Sequence, residues 1–439
     1  MKSHRQTTPM AAAAAAIVLA VFAAAQVRDA KAVLPPGNTV AQWDTIAENT
    51  VVGSGAFQNE SFIYMAYTTQ AMYEAISPGE RKGQSADAAV IGAASTVLKN
   101  YFPSQATAIA ALRQEALAAL PDSQATEVGL RYGDLTANKL IAAREGDGRQ
   151  TPIASSSTFP KLTPGAGVWR LTPAAFAAPQ TPWVGDVRPF ILESAGQFLP
   201  PPPPSLQSST WVTDFNEVKT HGSSTNPDAT ERSTAMFWTA NVVRQYNRLA
   251  REVAAAQGSS LVDTARLMAM VNVVAADAGI SVMHAKYHYL FWRPVTAING
   301  SLDATAVTND GFGPVPGFDD GNAATTEQAG WRPLVPTPNH PEYPSAHNTV
   351  TSGQAEVFSH FLGTDLINLD IHGFDPAGPA GNLNAVHHFA TAADLRAEIE
   401  NARVWGGIHY RFADVAGLHL GEQVADYDLS HGFSGKGDK

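Results

Sequence analysis

The order of apolar and polar positions along the chain reads as a series of helices. From about residue 40 to 147 the apolar residues recur with a period near 3.6. In SQATAIAALRQEALAAL, which follows Pro103, residues Ile109, Leu112, Ala116, Leu117 and Leu120 fall on one face, and Ser104 stands where an N-cap is needed. The segment TEVGLRYGDLTANKLIAAREGDG repeats the pattern and closes on glycine. The periodicity then stops. Residues 148–205 are rich in Pro, Thr, Ser and Gly and end in a stiff extended run, Pro200 to Pro204. Trp169, Trp183 and Phe190 lie in this stretch, and such aromatic anchors make it an ordered connection rather than a free linker. Helical spacing resumes near 211–219, 229–257 and 260–292. A loop-rich insert over 300–340 carries Gly, Asp and Pro, and further helical segments follow near 346–363 and 391–428. No segment has a convincing strand period and there is no fixed-period repeat. The expected class is all-α.

Composition narrows the chemistry. A chain of 439 residues exceeds one ordinary core, so two helical lobes or one large lobe are expected. The absence of cysteine excludes disulfides, thiolate metal sites, iron–sulfur clusters and covalently attached haem. A formal charge of −11 argues against nucleic acid as a partner, so any anion site must be a local cationic pocket. The first residues, MKSHRQTTPMAAAAAAIVLAVFAAAQVRDAKA, place Lys2 and Arg5 before an apolar run from Met10 to Ala25, with small-residue cleavage positions at Ala25 or Ala32. This is the pattern of a signal peptide over 1–32, with an uncleaved anchor as the alternative, and it predicts a secreted or periplasmic protein. The longest later apolar run, RLMAMVNVVAADAGISVM, is interrupted by Asn272 and Asp277, so no transmembrane segment is expected in the mature chain. The organisation that follows is a signal peptide (1–32), an N-terminal helical region with the Pro-rich connection (33–205) and a C-terminal helical bundle (206–439).

Three short segments carry the candidate chemistry. In HPEYPSAHN (340–348) two prolines stiffen the chain just before a helix start, where free N–H groups and the helix dipole favour an anion. Ser345 and His347 read either as a plain N-cap and an exposed first-turn residue or as groups aimed at that anion. In KYHYLFWRP, Lys286 and Arg293 stand seven residues apart. On a continuous helix that is two turns, nearly one face, with Cα atoms about 10 Å apart. They read as two solvated charges or as two cations converging on one anion. In ARVWGGIHYRFAD, Arg403 precedes His409 by six residues, so the two share a face only if the helix breaks between them, and Gly406-Gly407 permits a break.

Taken together and in this order, the segments read K-x6-R-P, P-S-x-H and R-x5-H. This resembles the signature shared by the vanadium-dependent haloperoxidases and the type 2 phosphatidic acid phosphatase superfamily, K-x6-R-P, P-S-G-H and S-R-x5-H-x3-D. The motifs span 286–414. GVWRLTP around Trp169 and AMFW around Trp238 are similar to the soluble bacterial haloperoxidase-like members and extend the resemblance over most of the mature chain. The resemblance implies helical bundles with the pocket between helices. It implies that Lys286, Arg293 and Arg403 neutralise the oxygens of vanadate or phosphate, and that Ser345 and the Ala346 N–H donate to them. It implies that His409 is the metal ligand or, in a phosphatase, the nucleophile, and that His347 is the acid–base on the opposite side. Lys286 is then the group that polarises bound peroxide.

The chain departs from the pattern in three places. Ala346 replaces the usual Gly, Ala402 replaces the Ser before the Arg, and Ala413 stands at the Asp position, with Asp414 one residue later. Asp414 can orient His409 only if the backbone shifts, which tilts the reading from phosphatase toward peroxidase. His340 stands five residues before Ser345, where the resembling haloperoxidases carry Phe with chloride oxidation and His with bromide or iodide. Read without the resemblance, it is an ordinary loop His. His284 and His288 have a spacing that can bind zinc, but they read as packing residues. His387 and His388 read as surface residues before a helix. Asp277, inside an apolar helix, either balances a cation of the site or makes a polar contact in the core.

The first functional reading is a vanadium-dependent haloperoxidase that holds vanadate and oxidises halide, with bromide or iodide favoured, to hypohalous acid by hydrogen peroxide. The second is an acid phosphatase that acts on phosphate esters through a phosphohistidine at His409, since phosphate fits the same site. The third is a non-catalytic oxyanion-binding protein, against which His347 and His409 both argue.

Overall fold

The computed structural model describes residues 33–77, 83–150, 165–173, 175–299, 319–376 and 383–433. The expected signal peptide lies outside them. In the N-terminal part the helices are α1 (Thr39–Gly53), α2 (Gln58–Ile76), α3 (Ala86–Tyr101), α4 (Ala106–Ala118) and α5 (Gln124–Ala143). Asn38, Ser85 and Ser123 cap α1, α3 and α5 by accepting a first-turn N–H. The expected cap at Ser104 is absent. Pro103 sets a 3-10 turn over Pro103–Gln105, and α4 starts after it at Ala106.

The later helices are α6 (Ser209–His221), α7 (Ala229–Phe237), α8 (Val242–Ala256), α9 (Leu261–Tyr289), α10 (Pro294–Asn299), α11 (Ala346–Leu362), α12 (Ala392–Trp405) and α13 (Arg411–Gly432). The single segment expected over 229–257 is two helices, because Asn241 accepts from the Val243 and Arg244 N–H groups and starts a new one. The segment expected over 391–428 is also two. Between α11 and α12 lies a feature that the hydropathy pattern did not predict. The antiparallel hairpin β1 (Leu369–Gly373) and β2 (Ala385–Phe389) pairs Leu369 with Phe389. Its strands are five residues each, too short for a two-residue period to stand out. His387 lies on β2, stacked on Phe237 with ring centroids 3.8 Å apart. His388 faces outward beside Asp370. The class remains all-α, since this hairpin is the only sheet among the described residues.

α9 is the axis of the fold. It packs on α2, α11 and α13. It is long and apolar enough to cross a membrane by composition, but 94% of its most apolar window is buried inside the protein, as suits a core helix. Its large apolar side chains from Leu267 to Met283, such as Met268 and Ile280, are fully buried and contribute about 1.5–3 kcal/mol each. α13 lies close against α11 because Gly421 has no side chain, and a Cβ there would stand 2.1 Å from the Thr349 carbonyl oxygen.

Asp277 of α9 explains how the Pro-rich connection is held. Its Oδ1 accepts the Phe190 N–H at 2.7 Å, and its Oδ2 accepts those of Ile191 at 2.8 Å and Leu192 at 3.1 Å. Of the two readings of Asp277, the polar core contact holds. It satisfies three backbone donors that would otherwise be buried alone.

Candidate active site

The loop 340–345 is clamped from several sides. Lys286 Nζ donates to the carbonyl oxygens of Pro341 at 3.0 Å, Glu342 at 2.8 Å, and Pro344. An ammonium has three protons, so all are taken by this loop. The Glu342 N–H donates to Phe291 O and the Ser345 N–H to Ala413 O, both at 2.9 Å. The Tyr343–Pro344 peptide is cis. α11 then begins at Ala346 with Ser345 as N-cap residue, but the Ser345 hydroxyl makes no cap bond. It accepts from Asn348 Nδ2 at 3.0 Å, and Asn348 also donates to Asp414 Oδ1.

Lys286 and Arg293 both bond carbonyl oxygens of the 340–345 loop, though not from one helix face. α9 ends at Tyr289, and Leu290 turns the chain in a left-handed conformation, φ 51° and ψ 43°. Phe291 and Trp292 then bury themselves in a separate aromatic cluster with Trp211 and Tyr410, which draws the chain off the helix axis. Arg293 therefore enters from beyond the turn. Its Nε donates to His340 O at 3.0 Å and its Nη1 to Ile408 O at 2.7 Å. Nη1 also stands 3.2 Å from His409 Nε2, and Nη2 stands 3.0 Å from His340 Nδ1.

The break between Arg403 and His409 falls at the glycines. α12 ends at Trp405, and Gly407 has φ +75°. A Cβ at Gly407 would stand 2.2 Å from Gly222 O, so glycine is required twice over. His409 follows the bend. It is 2% exposed, and its Nδ1 stands 2.8 Å from Glu342 Oε1, which also accepts the Tyr410 N–H at 3.1 Å. Asp414 does not reach His409. Its place one residue beyond the expected position turns it to Asn348, and the carboxylate beside His409 is Glu342. The sequence reading missed Glu342. The available signal was a lone carboxylate between the two prolines of a loop that shapes an anion site.

Arg403 is buried. Its Nη1 donates to Trp238 O at 3.0 Å, while its Nε has no partner. A buried guanidinium N–H left unpaired is costly unless a ligand meets it. Burial pulls Arg293 and Arg403 each down to about 10, so both stay cationic at neutral pH. Burial first, then the Arg403, Lys286 and Arg293 charges, holds His347 well below the usual imidazole value. His409 is held low by burial first, then Arg293, Lys286 and Arg403. Both rings are neutral at pH 7. Burial also lifts Glu342 to about 8, against the pull of Arg293 and Lys286.

His340, Ala346, His347, Arg403 and His409 line one cavity of about 250 Å³. Phe57, Gln58 and Phe62 of the α2 region form part of its wall, with Val282 of α9 and Val350 of α11. Lys286, Arg293 and Ser345 stand behind the lining. The donors, namely a cationic Arg with a free Nε–H and the open first turn of α11, suit an oxyanion. His284 and His288 take no part. His284 lies against Gly185 and Gly196, His288 sets its edge on Tyr289, and among the described residues no three His, Cys, Asp or Glu side chains converge as a metal site.

Residues 266–433 match the family model of the VCPO second helical-bundle domain. The vanadium chloroperoxidase of Curvularia inaequalis is 26% identical over 38% of this chain, and the match spans about a third (32%) of that protein's length. Among solved structures, a bacterial vanadium-dependent iodoperoxidase superposes with a TM-score of 0.70 at 22% identity, covering 91% of this chain and 98% of that one. A holo-type bacterial vanadium-dependent chloroperoxidase gives 0.61 at 16% identity, covering 88% and 92%. Residues 266–433 thus form a VCPO second helical-bundle domain, in a chain with the fold of the vanadium-dependent haloperoxidases.

Proposed function

We propose that this protein is a vanadium-dependent haloperoxidase that oxidises bromide or iodide with hydrogen peroxide to hypohalous acid. The observation that carries the reading is the convergence of His347, Arg403 and His409 on one cavity, with the buried Arg403 Nε unpaired. Arg403, the first-turn N–H groups of α11 and His409 Nε2 would hold vanadate, and Arg293 adds positive charge behind His409. Bound vanadate supplies Lewis acidity that makes a peroxide oxygen electrophilic toward halide without a change of oxidation state. His347, whose ring is neutral, would take a proton from entering hydrogen peroxide and pass it to the oxygen that leaves as water. Lys286 keeps the loop 341–344 in shape through its three carbonyl bonds and adds its charge from behind the lining. His340 at the cavity, where the resembling haloperoxidases carry His with bromide or iodide, supports these halides over chloride. The N-terminal pattern over 1–32 supports export as a signal peptide.

The test is peroxide-dependent bromination and iodination of a phenol-type dye by phosphate-free protein loaded with orthovanadate. Hydrolysis of a chromogenic phosphate monoester by the vanadate-free protein is measured beside it. The expected result is halogenation that needs both vanadate and His409. Hydrolysis alone, inhibited by vanadate, would make the protein a phosphatase. Vanadate binding with neither activity would leave an oxyanion-binding protein.

A further inference from the structure

We propose that Glu342 is the positioning residue of His409: it fixes the imidazole as the Nδ1–H tautomer and so keeps Nε2 unprotonated, with a lone pair that Arg293 Nη1 meets in this structure and that would turn to the central atom of a bound oxyanion. The inference rests on the reading of His409 as the side chain that meets the oxyanion, and it assigns a role that the sequence pattern sought at Asp414.

Two neighbours on opposite sides of the ring demand the same tautomer. On one side, Glu342 Oε1 lies 2.8 Å from Nδ1 and also accepts the Tyr410 N–H at 3.1 Å. Oε1 in that position accepts a second proton from Nδ1–H, both in the carboxylate and in the acid protonated on Oε2, the buried oxygen that has no other partner. The alternative is a carboxylic acid that donates to Nδ1 and leaves the ring proton on Nε2. On the other side, Arg293 Nη1 lies 3.2 Å from Nε2. A guanidinium only donates, so an Nε2–H there would set two donors against each other. The Arg293 contact therefore removes the alternative.

Glu342 is held at its backbone and at Oε1, while its buried Oε2 has no partner. Its N–H is bonded to Phe291 O and its carbonyl oxygen to Lys286 Nζ. The side chain is 0% exposed. The residue thus joins the Lys286 clamp, the oxyanion loop and His409 in one unit. It also gives Lys286 a route to the chemistry that does not require its protons to reach the cavity. A carboxylate that orients a ligating histidine raises its basicity and sets its ring angle, and loss of such a partner typically weakens metal binding tenfold to a hundredfold.

The test uses the intact chain labelled with 15N-histidine in phosphate-free buffer, with the His409 signals identified by their loss in His409→Ala. In the wild type, Nδ1 should carry the proton and Nε2 should give the signal of an unprotonated ring nitrogen. In Glu342→Leu this pattern should mix or reverse, and equilibrium dialysis should show orthovanadate bound about tenfold to a hundredfold more weakly. In Glu342→Gln the amide oxygen can take the place of Oε1, since the Tyr410 N–H selects an acceptor there. The wild-type pattern should return, with affinity within about threefold of wild type. A wild-type ring protonated on Nε2 overturns the proposal, and so does a Glu342→Leu protein with unchanged pattern and affinity. If Glu342→Leu does not fold, the wild-type spectrum and Glu342→Gln decide. His409→Ala that binds orthovanadate as tightly as wild type would instead sink the reading of His409 as the ligand, while the nitrogen signals still judge Glu342.

Discussion

Arg293 Nη1 stands 3.2 Å from His409 Nε2, both side chains buried, so a fixed cation touches the ring nitrogen opposite the one beside Glu342. Burial is the larger reason that His409 resists protonation, and Arg293 is the next. Replacing Arg293 with Met should raise the His409 pKa toward the ordinary imidazole value near 6.5, read from ring-proton signals against pH. An unchanged titration would mean that burial alone holds the ring neutral.

The unpaired Arg403 Nε predicts a measurable ligand effect without turnover. Orthophosphate should stabilise the wild type by about 2.7 kcal/mol at a hundredfold excess over its dissociation constant. In Arg403→Met that stabilisation should require at least about tenfold more phosphate, since a charge-assisted bond contributes about 1.5–3 kcal/mol. Thermal melting over a phosphate series checks this. Equal phosphate dependence in both proteins would remove Arg403 from the oxyanion site.

His347 gives a pH dependence with a definite sign. Its folded pKa lies well below 6.5, so as pH falls below 6.5 the unfolded chain takes up a proton that the unliganded folded protein refuses. Its contribution is therefore present above pH 6.5 and is lost below, at up to about 1.4 kcal/mol per pH unit. Replacing His347 with Asn should leave the unliganded protein less sensitive to acid than the wild type, and the two urea-unfolding curves should diverge only below about pH 6.5. Parallel pH profiles would contradict the shift.

Gly407 is required both by its φ of +75° and by the Gly222 carbonyl oxygen, 2.2 Å from where a Cβ would stand. A left-handed alanine alone costs about 1–2 kcal/mol. With the clash added, Gly407→Ala should lose at least about 3 kcal/mol of stability. It should also weaken orthovanadate binding, because His409 is placed two residues later. Gly363→Ala, with a positive φ but open space around its Cβ, should show only the smaller conformational cost, as compared by denaturant midpoints.

Asp277 accepts three backbone N–H groups of the connection at 190–192. Asn keeps one acceptor and sets an NH2 against at least one of those donors. Asp277→Asn should therefore destabilise by about 1–3 kcal/mol, seen as faster proteolysis within residues 165–205 while the helical core stays protected. Uniform loss of protection would mean that Asp277 acts on the core instead.

Much of this protein was legible along the chain because the information is local. Helix class follows from a 3.6-residue period, and caps such as Asn38, Ser85 and Ser123 lie within three residues of the groups they satisfy. The glycine break before His409 was legible for the same reason, since Gly406-Gly407 interrupts any helix. The motif residues were found by type and order. What the sequence could not set is which atoms face the cavity. Lys286 and Arg293 had the spacing of one helix face, yet the burial of Phe291 and Trp292 among distant aromatics turned the chain at Leu290. Asp414 had nearly the right spacing to orient His409. It lost that place to Glu342, 67 residues away in the chain, because only the packing of α13 against the loop decides which buried carboxylate lies within reach of Nδ1. Short-range periodicity fixed the helices and the inventory of the site. The direction of each buried polar group was decided by tertiary packing, because a donor with no access to water must bond whatever acceptor the fold brings to it.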